Sequence, residues 1–339
     1  MLKKECKKTL FTTPSHNGKV CILHKFYQWY RSDVSETDAY NPQAELTASQ
    51  ERASKLYGTK STHYLTNGSS SGIIAAILSS CAINDKILIW NKSHKCHKNG
   101  AKLAGAKIIE YELNLNNEWG VYEPLSAQKA EELIKQHQPK AMVITSPSYE
   151  GICTDIKAIS DICKKNNVIL IADEAHGALY PFSDKLPVSA VKYADFTVQS
   201  LHKTAGGLNP TALLHCNCDI SPNKVLDMIT TTSPSYPLLA SIETNINYLF
   251  SKRGQKEVDN LINNILYIKS KLTNLEFFGD DITKILIKKN GLSGYELSEI
   301  LYENYNIEDE ITNEKSTMLL TGIGTTKRKL DRLLKIKNI

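Results

Sequence analysis

What the chain lacks narrows the field first. No stretch approaches the roughly 18 consecutive apolar residues needed to cross a bilayer, so no membrane-spanning role is expected. The start, Met1-Leu-Lys-Lys-Glu-Cys-Lys-Lys, is charged and is not followed by the apolar run of a secretory signal. The eight cysteines follow no regular framework and read as reduced thiols of a cytoplasmic protein rather than as disulfides. Neither His94-Lys-Cys96-His97 nor His215-Cys216-Asn-Cys218 has the paired clusters of a zinc site, so no metal is expected. An excess of one charge is missing too: the net charge of +5 comes with 36 acidic residues interspersed. The basic stretches from Lys3 to Lys8 and from Lys327 to Lys337 therefore read as solvated termini, and no nucleic-acid partner is expected. There is no internal repeat and no low-complexity linker.

With 339 residues, 41% hydrophobic and 23% charged, the chain is long enough for two domains and a large core. Residues 1–42 lack a clear period and read as an arm or as a loop and helix covering the chain's own core. A helix follows from Gln43 to Tyr57, with Leu46, Ala53 and Leu56 on one side and Gly58 just past its end. Strand and helix patterns then alternate: a helix after Ser71, strands at Ile87–Trp90 and Lys107–Tyr111, a helix at Ser126–His137, a strand at Met142–Thr145, and a helix at Asp155–Asn166. Such alternation predicts an α/β fold with a parallel sheet covered on both faces. Pro234 and Pro237 mark a boundary, giving a large domain at 43–235 and a small α+β domain at 236–339. The small domain starts with a long helix near Leu238–Leu275, broken around Gly254, and continues with strands at Ile282–Ile287 and Met318–Thr321.

Two segments carry the chemistry. Asp173-Glu-Ala-His176-Gly177 follows the apolar run Val168-Ile-Leu-Ile-Ala172, and Ser200-Leu-His202-Lys203-Thr204 follows Phe196-Thr-Val198. Both runs read as buried strands of an open α/β sheet, whose ligands bind at the carboxyl ends of the strands. Pyridoxal phosphate (PLP) chemistry needs an acid against the ring nitrogen and a lysine to hold the aldehyde as an imine. Asp173 and Lys203 fit those roles. Thr66-Asn-Gly-Ser69-Ser70-Ser71-Gly72, opening an apolar helix, fits a phosphate site or a simple serine-capped turn.

These residues resemble the Orn/Lys/Arg decarboxylase family of PLP enzymes, within the aspartate aminotransferase-like superfamily (fold type I). Thr13-Pro-Ser-His-Asn-Gly18 is similar to the family's amino-terminal segment, and Leu65 to Ser71 to its phosphate loop. Asn91-Lys-Ser-His94-Lys95, Thr145-Ser-Pro-Ser-Tyr149, Gln199-Ser-Leu-His-Lys203-Thr and Thr231-Thr-Ser-Pro-Ser-Tyr236 with Leu239-Ala-Ser241 follow in the family's order. The resemblance implies a mostly parallel large-domain sheet with a small α+β domain. It also implies that Lys203 holds PLP, that Asp173 pairs with the ring nitrogen, and that His94 stacks on the ring. Ser69, Ser70, Ser71, Ser200 and His202 would hold the phosphate, and His176 would sit beside the ring. Lys203, His94, Asp173 and His176 are the expected catalytic group.

The same resemblance implies decarboxylation of arginine, lysine or ornithine to an amine and carbon dioxide, by a homodimer or higher homo-oligomer with its site at the subunit boundary. Tyr149 and Glu150 are candidates to meet the substrate, Glu150 standing where a second tyrosine is common. Family members continue past the small domain into a Pro-Gly-rich region, whereas this sequence ends at Ile339 and so resembles a short form. Two other readings remain open: another PLP reaction (aminotransferase, aldolase or lyase), and a non-catalytic homologue. Arg253, Arg328 and Arg332 lie in polar or basic helical contexts, so the substrate-gripping arginine of aminotransferases has no clear counterpart.

Overall fold

The structure, a computed structural model, describes residues 9–10, 44–231 and 234–338. The arm expected at 1–42 and its motif at Thr13–Gly18 lie outside these residues, apart from a two-residue strand, Thr9–Leu10, that pairs in parallel with Ile307–Glu308.

Seven strands make the main sheet. In chain order the elements are α1 (Ala44–Tyr57), β1 (Ser61–Leu65), α2 (Ser69–Ser80), β2 (Lys86–Trp90), α3 (Lys95–Leu103), β3 (Lys107–Tyr111), α4 (Ala127–His137), β4 (Ala141–Thr145), α5 (Ile156–Lys165), β5 (Ile169–Asp173), β6 (Phe196–Ser200) and β7 (Ala212–Cys216). The spatial order is β1-β7-β6-β5-β4-β2-β3. Strands β2 to β6 run parallel, while β7 is antiparallel to both β6 and β1. The sheet is thus mostly parallel, as the resemblance implies, with β7 the one antiparallel strand. Only 11 residues separate Ser200 from Ala212, too few for the helical crossover that a parallel return requires.

β5 is central, and its register puts Asp173 beside Thr145 of β4 and Val198 of β6. Its apolar residues are buried because both faces are covered, which is why they form a continuous run rather than an alternating one. Helix α2 lies directly on the sheet at Gly72, where a Cβ would come within 2.6 Å of Leu65 Cδ1 and 3.0 Å of Val198 Cγ1. Helices α4 and α5 start on Ser126 and Asp155, whose side chains accept hydrogen bonds from the first-turn amides of Lys129 and Ala158. In α1 the buried face is Leu46, Ala53 and Tyr57, while Leu56 is 42% exposed. The expected stripe was therefore out of phase by one residue at its end.

After α6 (Asn223–Ile229) come α7 (Tyr236–Leu249) and α8 (Lys252–Lys271). The long helix is broken before Gly254: Ser251 caps α8 by accepting from the Gly254 amide. A second, antiparallel sheet follows, built from β8 (Glu276–Phe278), β9 (Lys284–Lys288), β10 (Ile311–Thr312) and β11 (Thr317–Leu320) in the order β8-β9-β11-β10. Helix α9 (Gly294–Tyr305) opens on a capping box between Ser293 and Glu296. One apolar cluster ties the second sheet to the segment after β5, joining Leu179 and Phe182 to Ile265, Ile285 and Leu319.

Candidate functional site

The carboxyl ends of β4, β5 and β6 open on a cavity of about 590 Å³. Each strand delivers its functional residue where apolar pairing stops. Asp173 is the last residue of β5. Ser200 ends β6, and the next five residues, Leu201–Ala205, form one turn of π-helix, a wide turn that is frequent at functional sites. That turn presents His202 and Lys203 to the cavity, where Asp173, His176 and His94 also lie.

Lys203 Nζ stands 2.9 Å from His176 Nε2. Burial pushes the His176 imidazole well below its ordinary range, with the Lys203 charge acting in the same direction. The ring is therefore neutral, and Nε2 is the acceptor for a Lys203 proton. Burial likewise lowers the Lys203 ammonium, against the opposing pull of the Asp173 charge. Such an amine loses its proton more readily than a surface lysine does. His176 packs at 4.5 Å, ring to ring, against Tyr149.

Asp173 is almost fully enclosed. Its Oδ1 accepts from the Ala175 amide at 3.1 Å, and its Oδ2 lies 2.8 Å from His97 Nε2. Burial alone would raise this carboxyl, yet the His97 contact and the Lys203 charge hold it below the ordinary value. His97 was expected only as part of a metal-like cluster. Cys96, His97 and Asp173 do place three donor atoms within 4.8 Å of one another. Burial keeps the Cys96 thiol protonated, pushing it up to about 12, and its sulfur is 2.9 Å from His94 Nδ1. The second metal-like group disperses: His215 is bonded to Thr62 and Gln199, whereas the Cys216 and Cys218 sulfurs contact each other.

The serine loop divides in two. Gly68, at φ +88°, is the N-cap of α2 and has no side chain to cap it, so the helix opens on the cavity at Ser69 and Ser70. Ser71 does not face the cavity. Its hydroxyl donates to Asn67 Oδ1 and to the Gly68 carbonyl, holding the loop in shape. Ser200, also expected at the phosphate, is fully buried at the end of β6, and among the described residues its hydroxyl has no hydrogen-bond partner. His202 lines the cavity, its Nδ1 bonded to the Thr211 carbonyl, which leaves Nε2 for a ligand. His94 is the N-cap of α3 and accepts from the Cys96 amide.

At the mouth, Tyr149 donates its hydroxyl to Glu310 at 2.5 Å, and Glu150 accepts from Ser148. Glu310, in the loop before β10, was missed in the sequence. Its charge acts on Lys203, favouring the ammonium. Lys284 of β9, also missed, is wholly buried against Asp281 and reaches the His176 carbonyl at 3.3 Å. Among the described residues no arginine lines the cavity.

Comparison with known proteins agrees with this arrangement. Residues 4–286 match the model of the Orn/Lys/Arg decarboxylase major domain. The chain belongs to the Orn/Lys/Arg decarboxylase family. Within it, the chain is 31% identical to the Bacillus subtilis (strain 168) protein YaaO, over 87% of this chain and 66% of YaaO. It is 28% identical to the arginine decarboxylase of the same organism, over 96% of this chain and 72% of that enzyme. The solved structure of lysine decarboxylase A from Pseudomonas aeruginosa superposes with a TM-score of 0.79 at 20% identity, covering 95% of this chain and 56% of that one. The architecture is that of PLP fold type I, shared with decarboxylases and aminotransferases. This chain spans 66% and 72% of the length of the two Bacillus subtilis relatives and 56% of the solved lysine decarboxylase.

Proposed function

We propose that this chain is a PLP-dependent decarboxylase of a basic amino acid, releasing an amine and carbon dioxide. The observation that carries the reading is the meeting of Lys203, His176 and Asp173 on one cavity at neighbouring strand ends. The residues present fit the cofactor. The uncapped start of α2 with Ser69, Ser70 and His202 suits a phosphate. Asp173, buried and kept ionised, suits a protonated ring nitrogen, and the exposed His94 suits a ring face.

Bound there, PLP would supply the electron sink that lets the substrate's α-carbon release its carboxylate. Lys203, whose ammonium burial lowers, would hold the aldehyde carbon, with His176 Nε2 accepting a hydrogen bond that orients its amine. Asp173 would keep a proton on the ring nitrogen. Glu150 lines the cavity and Glu310 is held by the cavity-lining Tyr149 within range of Lys203, so two carboxylates would be available to a distal guanidinium or ammonium. The absence of a cavity arginine among the described residues favours loss of the α-carboxylate over its retention. We further propose that 43–235 and 236–339 act as large and small domains and that the working unit is a homodimer or larger homo-oligomer.

The test is mass spectrometry of products after the PLP-loaded protein meets arginine, lysine or ornithine, beside Lys203→Ala. The reading requires an amine formed by the unmodified protein alone. A keto acid would assign a transaminase, and bound PLP with no product would assign a non-catalytic homologue.

A further inference from the structure

We propose that His97 is a positioning residue that acts through Asp173 on the ring nitrogen of the bound cofactor. The inference rests on the PLP reading above and concerns a residue that touches neither cofactor nor substrate. His97 is the third residue of α3 and is completely buried. An ionised carboxylate can only accept hydrogen bonds, so the 2.8 Å contact fixes the proton on His97 Nε2, donating to Asp173 Oδ2. With Oδ1 held by the Ala175 amide, both oxygens are tied to the protein and the carboxylate cannot swing. What remains free is the edge that faces the cavity.

The rest of the imidazole explains nothing else. Its Nδ1 is buried with no hydrogen-bond partner among the described residues, and its neighbours on α3, Cys96 and Ala101, belong to an apolar cluster with Ile77 of α2. A polar ring with one unmet nitrogen is unfavourable in such a place. An aliphatic side chain would pack there without that penalty, so the bond to Asp173 is what the histidine contributes. A shared metal does not account for the geometry. Two ligands on one zinc, each about 2.1 Å from it, stand roughly 3.4 Å apart in a tetrahedral site, whereas the nitrogen and oxygen here are at direct hydrogen-bond distance. One helical turn thus carries His94 to the cavity and His97 to the back of the acid.

Without His97, Asp173 keeps its place at the strand end but loses the donor that stabilises its ionised form. The ring nitrogen would then be held more weakly. The experiment compares equilibrium binding of PLP and of its 1-deaza analogue, in which carbon replaces the ring nitrogen, to the apoprotein and to His97→Leu and His97→Gln. Leu keeps bulk and removes the donor; Gln keeps an amide N–H at similar reach. The expected result is that the PLP-to-analogue affinity ratio falls about tenfold in His97→Leu, the loss of roughly one charge-assisted hydrogen bond, and recovers in His97→Gln. An unchanged ratio, whether both ligands weaken equally or neither does, would overturn the proposal. If the unmodified protein binds no PLP, the functional reading itself fails, which is a different result from an unchanged ratio.

Discussion

Asp173 and Glu174 are consecutive carboxylates at the end of one strand, and the fold treats them in opposite ways. Asp173 borders the cavity and has an imidazole and a lysine charge for company, which together outweigh burial and keep it ionised. Glu174 points to the other side and is sealed from solvent, meeting only the Ser189 hydroxyl, the Ala190 amide and the Gln199 amide. Burial outweighs those neutral donors and pushes its carboxyl up to about 8. Enclosure alone does not mark a functional acid. What distinguishes Asp173 is a cationic and proton-donating neighbourhood open to a ligand on one edge.

The sharpest way to break this contrast is to remove the lysine that gives Asp173 its setting. Lys203→Ala should lower turnover at least about a thousandfold, since Lys203 is the amine that lines the cavity and meets His176 Nε2, whereas Lys284 lies buried against Asp281. Next, Asp173→Asn should lower kcat/KM by about two orders of magnitude with the fold intact by circular dichroism, while Glu174→Gln changes it less than about threefold. Equal losses in the two variants would erase the distinction drawn between the carboxylates. A smaller effect is expected from Glu310→Gln: KM for a basic amino acid rises about tenfold with kcat nearly unchanged, as for loss of one charged contact.

The smallest effect lies in the pH dependence of stability and sharpens the comparison from the Glu174 side. A carboxyl whose folded pKa is about 8, above the unfolded value of 4.5, favours the folded state fully below the lower value. That contribution is lost as pH rises from about 4.5 to about 8, with a slope of at most about 1.4 kcal/mol per pH unit. Denaturant titrations between pH 5 and pH 8 should therefore show a flatter decline for Glu174→Gln than for the unmodified chain. Asp173 has the opposite sign, since its depressed carboxyl stabilises the folded state above the ordinary carboxylate range and ceases to do so in acid.

Much of this was legible from the sequence because it is local. Val168–Ala172 and the residues after Phe196 are apolar runs that end in chemistry, so Asp173, His176 and Lys203 could be placed at strand ends without knowing what lay beside them. Helix α3 was not read. Its polar Lys95, Lys98, Asn99 and Lys102 obscure the short buried face of Cys96, Gly100 and Ala101. Strand β7 was read only as a metal-like Cys and His cluster, and its direction depends on the short return from β6. His97 and Glu310 escaped for a different reason. Each matters through a residue far away in the chain, 76 positions for His97 with Asp173 and 161 for Tyr149 with Glu310, and no local period encodes such a pairing. Ser71 and Ser200 match the family's motifs, yet the hydroxyl of one is bonded within its own loop and the other is fully buried at the end of β6.

The central claim is that this sheet edge holds PLP on Lys203. Borohydride reduction of the PLP-loaded protein, which fixes the aldehyde as a stable secondary amine on whichever lysine holds it, followed by peptide mass mapping, tests it most directly. The account predicts the phosphopyridoxyl mass on Lys203 alone, lost when the same experiment is run on Lys203→Ala. A label on another lysine, or one spread over surface lysines with Lys203 unmodified, would contradict it.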